Sequence, residues 1–223
     1  MQKPILVMVA VGAVLLVGAA AFLFVTSTQS SAWNEDTLYA FVREEIKDIS
    51  QSFFKEQWDI HYHDVTGDGG LEALLVENYT IDWHPNVEIV SKANRRYERI
   101  RSEIYAGKYG TYIEWSDGLL AVTARTGGPG EQLGYLSLFA FDAGVMVPVL
   151  ENLLMYQRVA FPTHDFEVNG EITGPFSEFV YRQVKEDYVT DETTTELVQY
   201  YRYDSDGRRF EIRSDAGESV GAL

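Results

Sequence analysis

NVEIVSKANRRYERIRSEIY, residues 86–105, is the stretch on which the fold class turns. Val87, Val90, Ala93, Tyr97, Ile100 and Ile104 recur at intervals of three and four, the spacing of one helical face. Lys92, Arg95, Arg96, Arg99 and Arg101 fall around the other side, which reads as a solvated face. The segment is therefore expected to be an amphipathic helix. Another is expected from Asp36 to about Lys55, where Leu38, Phe41, Val42, Ile46, Ile49 and Phe53 repeat at the same spacing behind a cap at Asn34 or Asp36. Its polar face carries Glu44, Glu45 and Asp48 with few basic residues, so it is expected to pack on a sheet rather than lie on a membrane surface.

Around these two segments the pattern changes to strands and turns. Trp58 to His63 alternates, and LEALLVENY, residues 71–79, reads as a more buried strand. Beyond residue 105, strand-like runs are expected at 111–115, 119–125, 133–142, 145–150, 166–168, 171–173, 176–189, 196–203 and 209–213. The breaks between them carry Ser116-Asp117-Gly118, Gly127-Gly128-Pro129-Gly130, Ala143-Gly144, Asn169-Gly170 and Asp206-Gly207. Asn-Gly and Asp-Gly between such runs are strong hairpin signals. The expected class is α+β: an N-terminal transmembrane helix, then two amphipathic helices packed on a mainly antiparallel β-sheet meander. No fixed-period repeat is evident.

Residues 5–25 are 21 consecutive apolar or glycine positions, preceded by Lys3 and followed by a Ser/Thr-rich stretch. As a helix the run is about 31 Å long, enough to span a hydrocarbon core. It is read as a retained anchor over residues 1–27. A cleaved signal is the alternative, because small-residue sites stand at Ala19-Ala20-Ala21 and Ser30-Ser31-Ala32. The lone cation before the run and Glu35-Asp36 after it place the N-terminus in the cytoplasm and the remainder outside. A linker over 28–35, a domain over 36–213 and a disordered tail over 214–223 complete the expected organisation.

The whole chain has 223 residues, 18 Lys+Arg against 34 Asp+Glu, and no cysteine. Every acid lies beyond Trp33, so that part carries 17 basic and 34 acidic groups, a formal −17. Such a surface repels phosphate backbones, which excludes a nucleic-acid partner. Without cysteine there is no disulfide, thiolate nucleophile or Cys-ligated metal centre.

His63-Asp64-Val65-Thr66-Gly67-Asp68-Gly69-Gly70-Leu71-Glu72 is the most specific motif. Counting from Asp64, oxygen-bearing side chains stand at positions 1, 3, 5 and 9, with Gly at 6 where the chain must turn sharply. Calcium takes six to eight oxygens at about 2.3–2.6 Å, and alternate residues of a tight loop aim theirs at one centre. Position 12 is Leu75, so the loop is not a full EF-hand. At these residues the chain resembles the FG-GAP/VCBS family of extracellular repeats, whose Asp-x-Asn-Gly-Asp-Gly-x-x-Asp loops bind calcium in β-rich propeller blades. The resemblance covers residues 58–79. It implies Asp64, Thr66, Asp68 and Glu72 as side-chain ligands and Gly70 as a carbonyl ligand. Thr66 stands where the family has Asn or Asp, and Glu72 where it has Asp. A turn without metal is the bland reading of the same residues, since Asp and Gly are common turn formers.

Other constellations are weaker. His61 and His63, two apart on a strand, project to one face and make half of a zinc site; surface or capping histidines are the plainer reading. Asp204-Ser205-Asp206-Gly207 fails as a calcium loop because Arg208 occupies position 5, and it reads as a hairpin turn. Gly127-Gly128-Pro129-Gly130 lacks the Gly-Lys-Ser/Thr ending of a phosphate loop. No Gly-x-Ser-x-Gly elbow anchors a serine triad. Tyr200-Tyr201-Arg202-Tyr203 reads as sheet packing before sugar stacking. The expected function is a non-enzymatic, single-pass, membrane-anchored extracytoplasmic domain with a calcium loop and a cell-envelope or protein partner. An exported metal-assisted hydrolase is the alternative.

Overall fold

The computed structural model describes residues 33–45, 56, 58–77, 87–93, 96–104, 110–214 and 219–220. The chain divides into two compact units, Met1–Ser50 and Gln51–Leu223, each described by itself. In the first, helix α1 (Glu35–Glu45) opens at Asn34, whose Oδ1 accepts the Thr37 N–H at 3.0 Å, while the Thr37 hydroxyl donates to the Asn34 carbonyl at 2.9 Å. Asn34 is thus the N-cap. Glu35 and Asp36 in the first turn and Arg43 in the last suit the helix dipole, and Leu38, Tyr39 and Val42 form the buried side. The expected continuation toward Lys55 falls on residues 46–55, outside the described ones.

The second unit is a sheet of thirteen described strands: β1 (Trp58–His63), β2 (Glu72–Glu77), β3 (Val87–Ala93), β4 (Arg96–Ile104), β5 (Thr111–Ser116), β6 (Leu119–Gly128), β7 (Glu131–Asp142), β8 (Val145–Phe161), β9 (His164–Thr173), β10 (Glu178–Asp187), β11 (Glu192–Asp204), β12 (Arg209–Ser214) and β13 (Ser219–Val220). Strands β1 to β4 form a meander, as do β8 to β13, and β5-β6-β7 branches from β8. Every pairing is antiparallel except a parallel contact of β4 with β8 at Arg101↔Val145.

The α+β expectation is overturned at residues 86–105. Instead of an amphipathic helix, β3 and β4 pair antiparallel from Ala93↔Arg96 back to Val87↔Ile104. Strand β3 is buried on both faces, so the alternation that marks a half-buried strand is missing. Val87 and Ile89 enter a core with Ile100 and Ile104, while Glu88 and Val90 on the opposite face are buried as well. An interval of four is even, so Ile100 and Ile104 share a face in a strand as they would in a helix. Among the described residues α1 is the one helix, and the architecture is mainly β.

The transmembrane expectation is corrected too. Among the described residues no helix is long and apolar enough to cross a membrane. Helix α1 has 11 residues, about 17 Å, against a hydrocarbon thickness of about 30 Å. The single-pass localisation, cytoplasmic N-terminus and extracytoplasmic remainder included, is therefore not supported. Residues 5–25, on which it rested, lie outside the described ones.

Two cores sandwich the β6–β7 hairpin. Leu119, Ala121, Leu136, Leu138 and Ala140 join Phe179, Tyr181, Tyr201, Phe210 and Ile212 on one side. Leu120, Val122 and Phe139 join Val65, Leu74, Val76, Val87, Ile89 and Ile100 on the other. Each large apolar side chain buried this way contributes about 1.5–3 kcal/mol. The Asp117-Gly118 hairpin forms as the sequence predicts, both residues at positive φ (55° and 74°) as a type I′ turn needs. Asn169-Gly170, expected to turn, runs straight through the middle of β9. A Cβ on Gly170 would lie 2.5 Å from the Leu154 carbonyl oxygen and 2.7 Å from the Tyr181 ring, so the glycine serves close packing rather than a turn.

Candidate functional site

The calcium-like loop connects β1 to β2, whose register runs from His63↔Glu72 to Trp58↔Glu77. Glu72, the first residue of β2, is 4% exposed, and its carboxylate folds back under the loop. Its Oε2 accepts the N–H of Val65 at 2.7 Å and of Thr66 at 3.1 Å; Oε1 has a 3.4 Å contact from the Thr66 hydroxyl. Val65 is buried in the core beside Leu74, so the loop is tied down at its second residue. Asp64 accepts from Gly67 N–H at 2.8 Å and Gly69 N–H at 3.0 Å through different oxygens, and Asp68 accepts from Gly70 N–H at 2.7 Å. Gly67 and Gly69 take φ of 75° and 84°, the left-handed region where a Cβ is strained.

Burial pushes the Glu72 carboxyl above its ordinary pKa, the two backbone N–H bonds pull it down, and the charges of Asp68 and Asp64 add to the rise. The loop thus joins Glu72 to Thr66 directly and places Asp64 and Asp68 within electrostatic reach. Among the described residues no group of three or more His, Asp or Glu is arranged to hold a metal ion.

His61 and His63 sit on one face of β1, as their spacing requires. The His63 ring lies 6.5 Å from that of Trp115, and burial followed by the neighbouring His61 lowers its pKa, which favours the neutral imidazole. Asp204-Ser205-Asp206-Gly207 is a hairpin turn closed by Asp204↔Arg209, and Arg208 pairs with Asp142. Residues 127–130 lead β6 into β7 through Gly128↔Glu131. On β11, Tyr201 is buried against Phe179, with ring centroids 4.8 Å apart, and Tyr200 faces outward.

Sequence reasoning missed one polar site altogether. Glu88 is fully buried, and Arg99 of the adjacent strand donates to it through Nε and Nη2, both at 2.7 Å. In the helical reading Glu88 had no role and Arg99 belonged to a solvated face. The missed signal is their separation: two residues 11 apart meet across a hairpin and not along a helix.

No family model, no curated protein and no solved structure matches this chain. The likeness of residues 58–79 to FG-GAP/VCBS loops accordingly rests on the sequence motif.

Proposed function

We propose that this chain is a non-enzymatic interaction domain whose 64–72 loop takes up a calcium ion, with Asp64, Thr66, Asp68, Glu72 and the Gly70 carbonyl as its oxygen donors. The observation that carries this reading is the mutual charge of Asp64, Asp68 and the buried Glu72 in a loop already held in shape by its own backbone N–H groups. A carboxylate oxygen that accepts one N–H keeps a second lone pair, so these bonds do not use up the oxygens' capacity to ligate a cation. A hard divalent cation would relieve the repulsion among the three acids and fix the β1–β2 connection. The acidic surface supports a cell-envelope or protein partner and disfavours a nucleic acid. A metal-assisted hydrolase would need the His61/His63 face to act catalytically; the packing of the His63 ring beside Trp115 supports a structural role instead.

Thermal melting of the full chain tests the reading. Calcium at a hundredfold excess over its dissociation constant is expected to add about 2.7 kcal/mol of stability. Magnesium, which demands a tighter octahedron, is expected to do much less. Asp68→Ala should abolish the gain and Thr66→Asp should increase it. An unchanged melt in millimolar calcium, with no heat in calorimetry, would reduce the loop to a turn.

A further inference from the structure

Strand β11 divides its aromatic run between two faces. Tyr201 and Tyr203 pack with Phe179 and Phe210 in one core. Tyr200 and Arg202 alternate with them and point the other way, and Tyr200 is 45% exposed. The register places their neighbours. Tyr200 lies opposite Val180 of β10 and Arg213 of β12, Arg202 lies opposite Glu178 and Glu211, and Val198 lies opposite Arg182. The irregularity between β10 and β11, at Gln183/Val184, comes beyond these pairs. The paired residues therefore share one face of the sheet, and the reverse face carries Phe179, Tyr181, Tyr201, Phe210 and Ile212 in the core.

At the centre of this face is a short apolar strip. Val180, across from Tyr200, and Val198, two residues before it, are half-buried, and the exposed tyrosine stands between them. Charges of both signs surround the strip: Arg182, Arg202, Arg213, Glu178 and Glu211 are all exposed. Arg182 is steadied by donating to the Thr195 hydroxyl at 3.0 Å, and Arg213 approaches Glu211 to 3.8 Å. Arg202 stands between two glutamates by register, yet among the described residues it enters no ion pair. A planar donor fork and carboxylate acceptors thus flank the tyrosine at cross-strand spacing, about 4.5–8 Å.

We infer that this face binds a neutral glycan, a chain of β-linked pyranose rings. A pyranose has a C–H face that packs on an aromatic ring, and equatorial hydroxyls that need donors and acceptors together. Tyr200 supplies the first, and Arg202 with Glu178 and Glu211 supplies the second. The charge pattern selects this occupant. A protein segment would have to cover the charges that flank the strip, and interface centres are depleted of such groups. A polyanion would meet a face on which the two signs nearly cancel, in a domain of formal −17. The face lies on other strands than the 64–72 loop, so the inference goes beyond the calcium reading and stands without it.

The test uses the full chain and fluorescent cellohexaose and chitohexaose, compared by anisotropy with the acidic oligosaccharide hexagalacturonate. At least one neutral chain is expected to bind about tenfold tighter than the acidic one. Tyr200→Ala should weaken that binding about tenfold and Arg202→Ala severalfold, while Tyr200→Trp should restore it. Tyr112→Ala, at an exposed tyrosine on β5, should leave it unchanged; circular dichroism confirms that each variant is folded. Each titration is run in calcium and in EDTA, and equal binding in both is expected. Binding in calcium alone would assign the sugar to the 64–72 loop and overturn the inference. So would failure of both neutral chains to bind at millimolar concentration, a preference for hexagalacturonate, or binding that survives Tyr200→Ala and Arg202→Ala together.

Discussion

Strands β1 to β4 and strands β8 to β12 belong to one sheet and solve the problem of burial in opposite ways. In β2 all six residues are buried, acids at both ends included, and β3 buries Glu88 completely. In the later strands burial alternates, as in β12, where Phe210 and Ile212 point inward between exposed neighbours. There the core is aromatic: Phe179 stacks on Tyr201, and Phe210 meets Tyr201 and Tyr203 edge-on or tilted. The first region depends on satisfying charge in a dry place, the second on shape. The same polypeptide therefore has one half that is sensitive to losing a charged partner and one that is sensitive to losing ring contacts.

The largest expected effect breaks the comparison on the charged side. Arg99→Met removes the bidentate partner of Glu88 and leaves a carboxylate with no access to water, at a cost of about 3–5 kcal/mol in denaturant unfolding. Replacing both residues by apolar ones of similar size should recover most of the loss, because the penalty belongs to burying a carboxylate without its arginine. Full stability in Arg99→Met alone would show that the N-terminal strands do not depend on this ion pair.

A smaller effect addresses the aromatic side. Burial, with a contribution from Tyr201, pushes the Tyr181 hydroxyl from 10 to about 12, and its O–H donates to the Leu154 carbonyl. The folded state therefore holds this proton more tightly than the unfolded chain. The corresponding stability is complete below pH 10 and is lost as pH rises from 10 toward 12, by about 2–3 kcal/mol. Unfolding measured across that window should show the decline, and Tyr181→Phe should flatten it. The smallest effect comes from moving the same charged chemistry to the surface of the second region. Arg213 and Glu211 approach within 3.8 Å with both side chains more than half exposed, so Arg213→Ala should change stability by about 0.3 kcal/mol or less.

The contrast also explains what the sequence made legible. Strand β1 matches its expected bounds, and the β5–β6 and β7–β8 connections fall at Asp117-Gly118 and Ala143-Gly144, because half-buried strands alternate and tight turns have few residue choices. Residues 86–105 were misread because Val87 to Val90 are covered on both faces, and because in β4 the buried Ile100 and Ile104 stand four apart, an interval that suits one face of a strand and of a helix alike. Asn169-Gly170 misled for another reason. Its local preference is a turn, but the approach of Tyr181 and the Leu154 carbonyl, contacts distant in sequence, decides the conformation. At the candidate site, the spacing from Asp64 to Glu72 identified the residues. The inward fold of Glu72 beneath Val65 depends on the core that Val65 joins.

Leu119 and Leu120 are consecutive residues that serve different cores, and the β6–β7 hairpin that carries them is the wall between the two. If either core came apart, that wall would present its stripped face to water and lose the support that sets its register. Each core thus keeps the other's wall in place, and loss of packing around Leu120 and Val122 on one side is expected to be felt at Leu119 and Ala121 on the other.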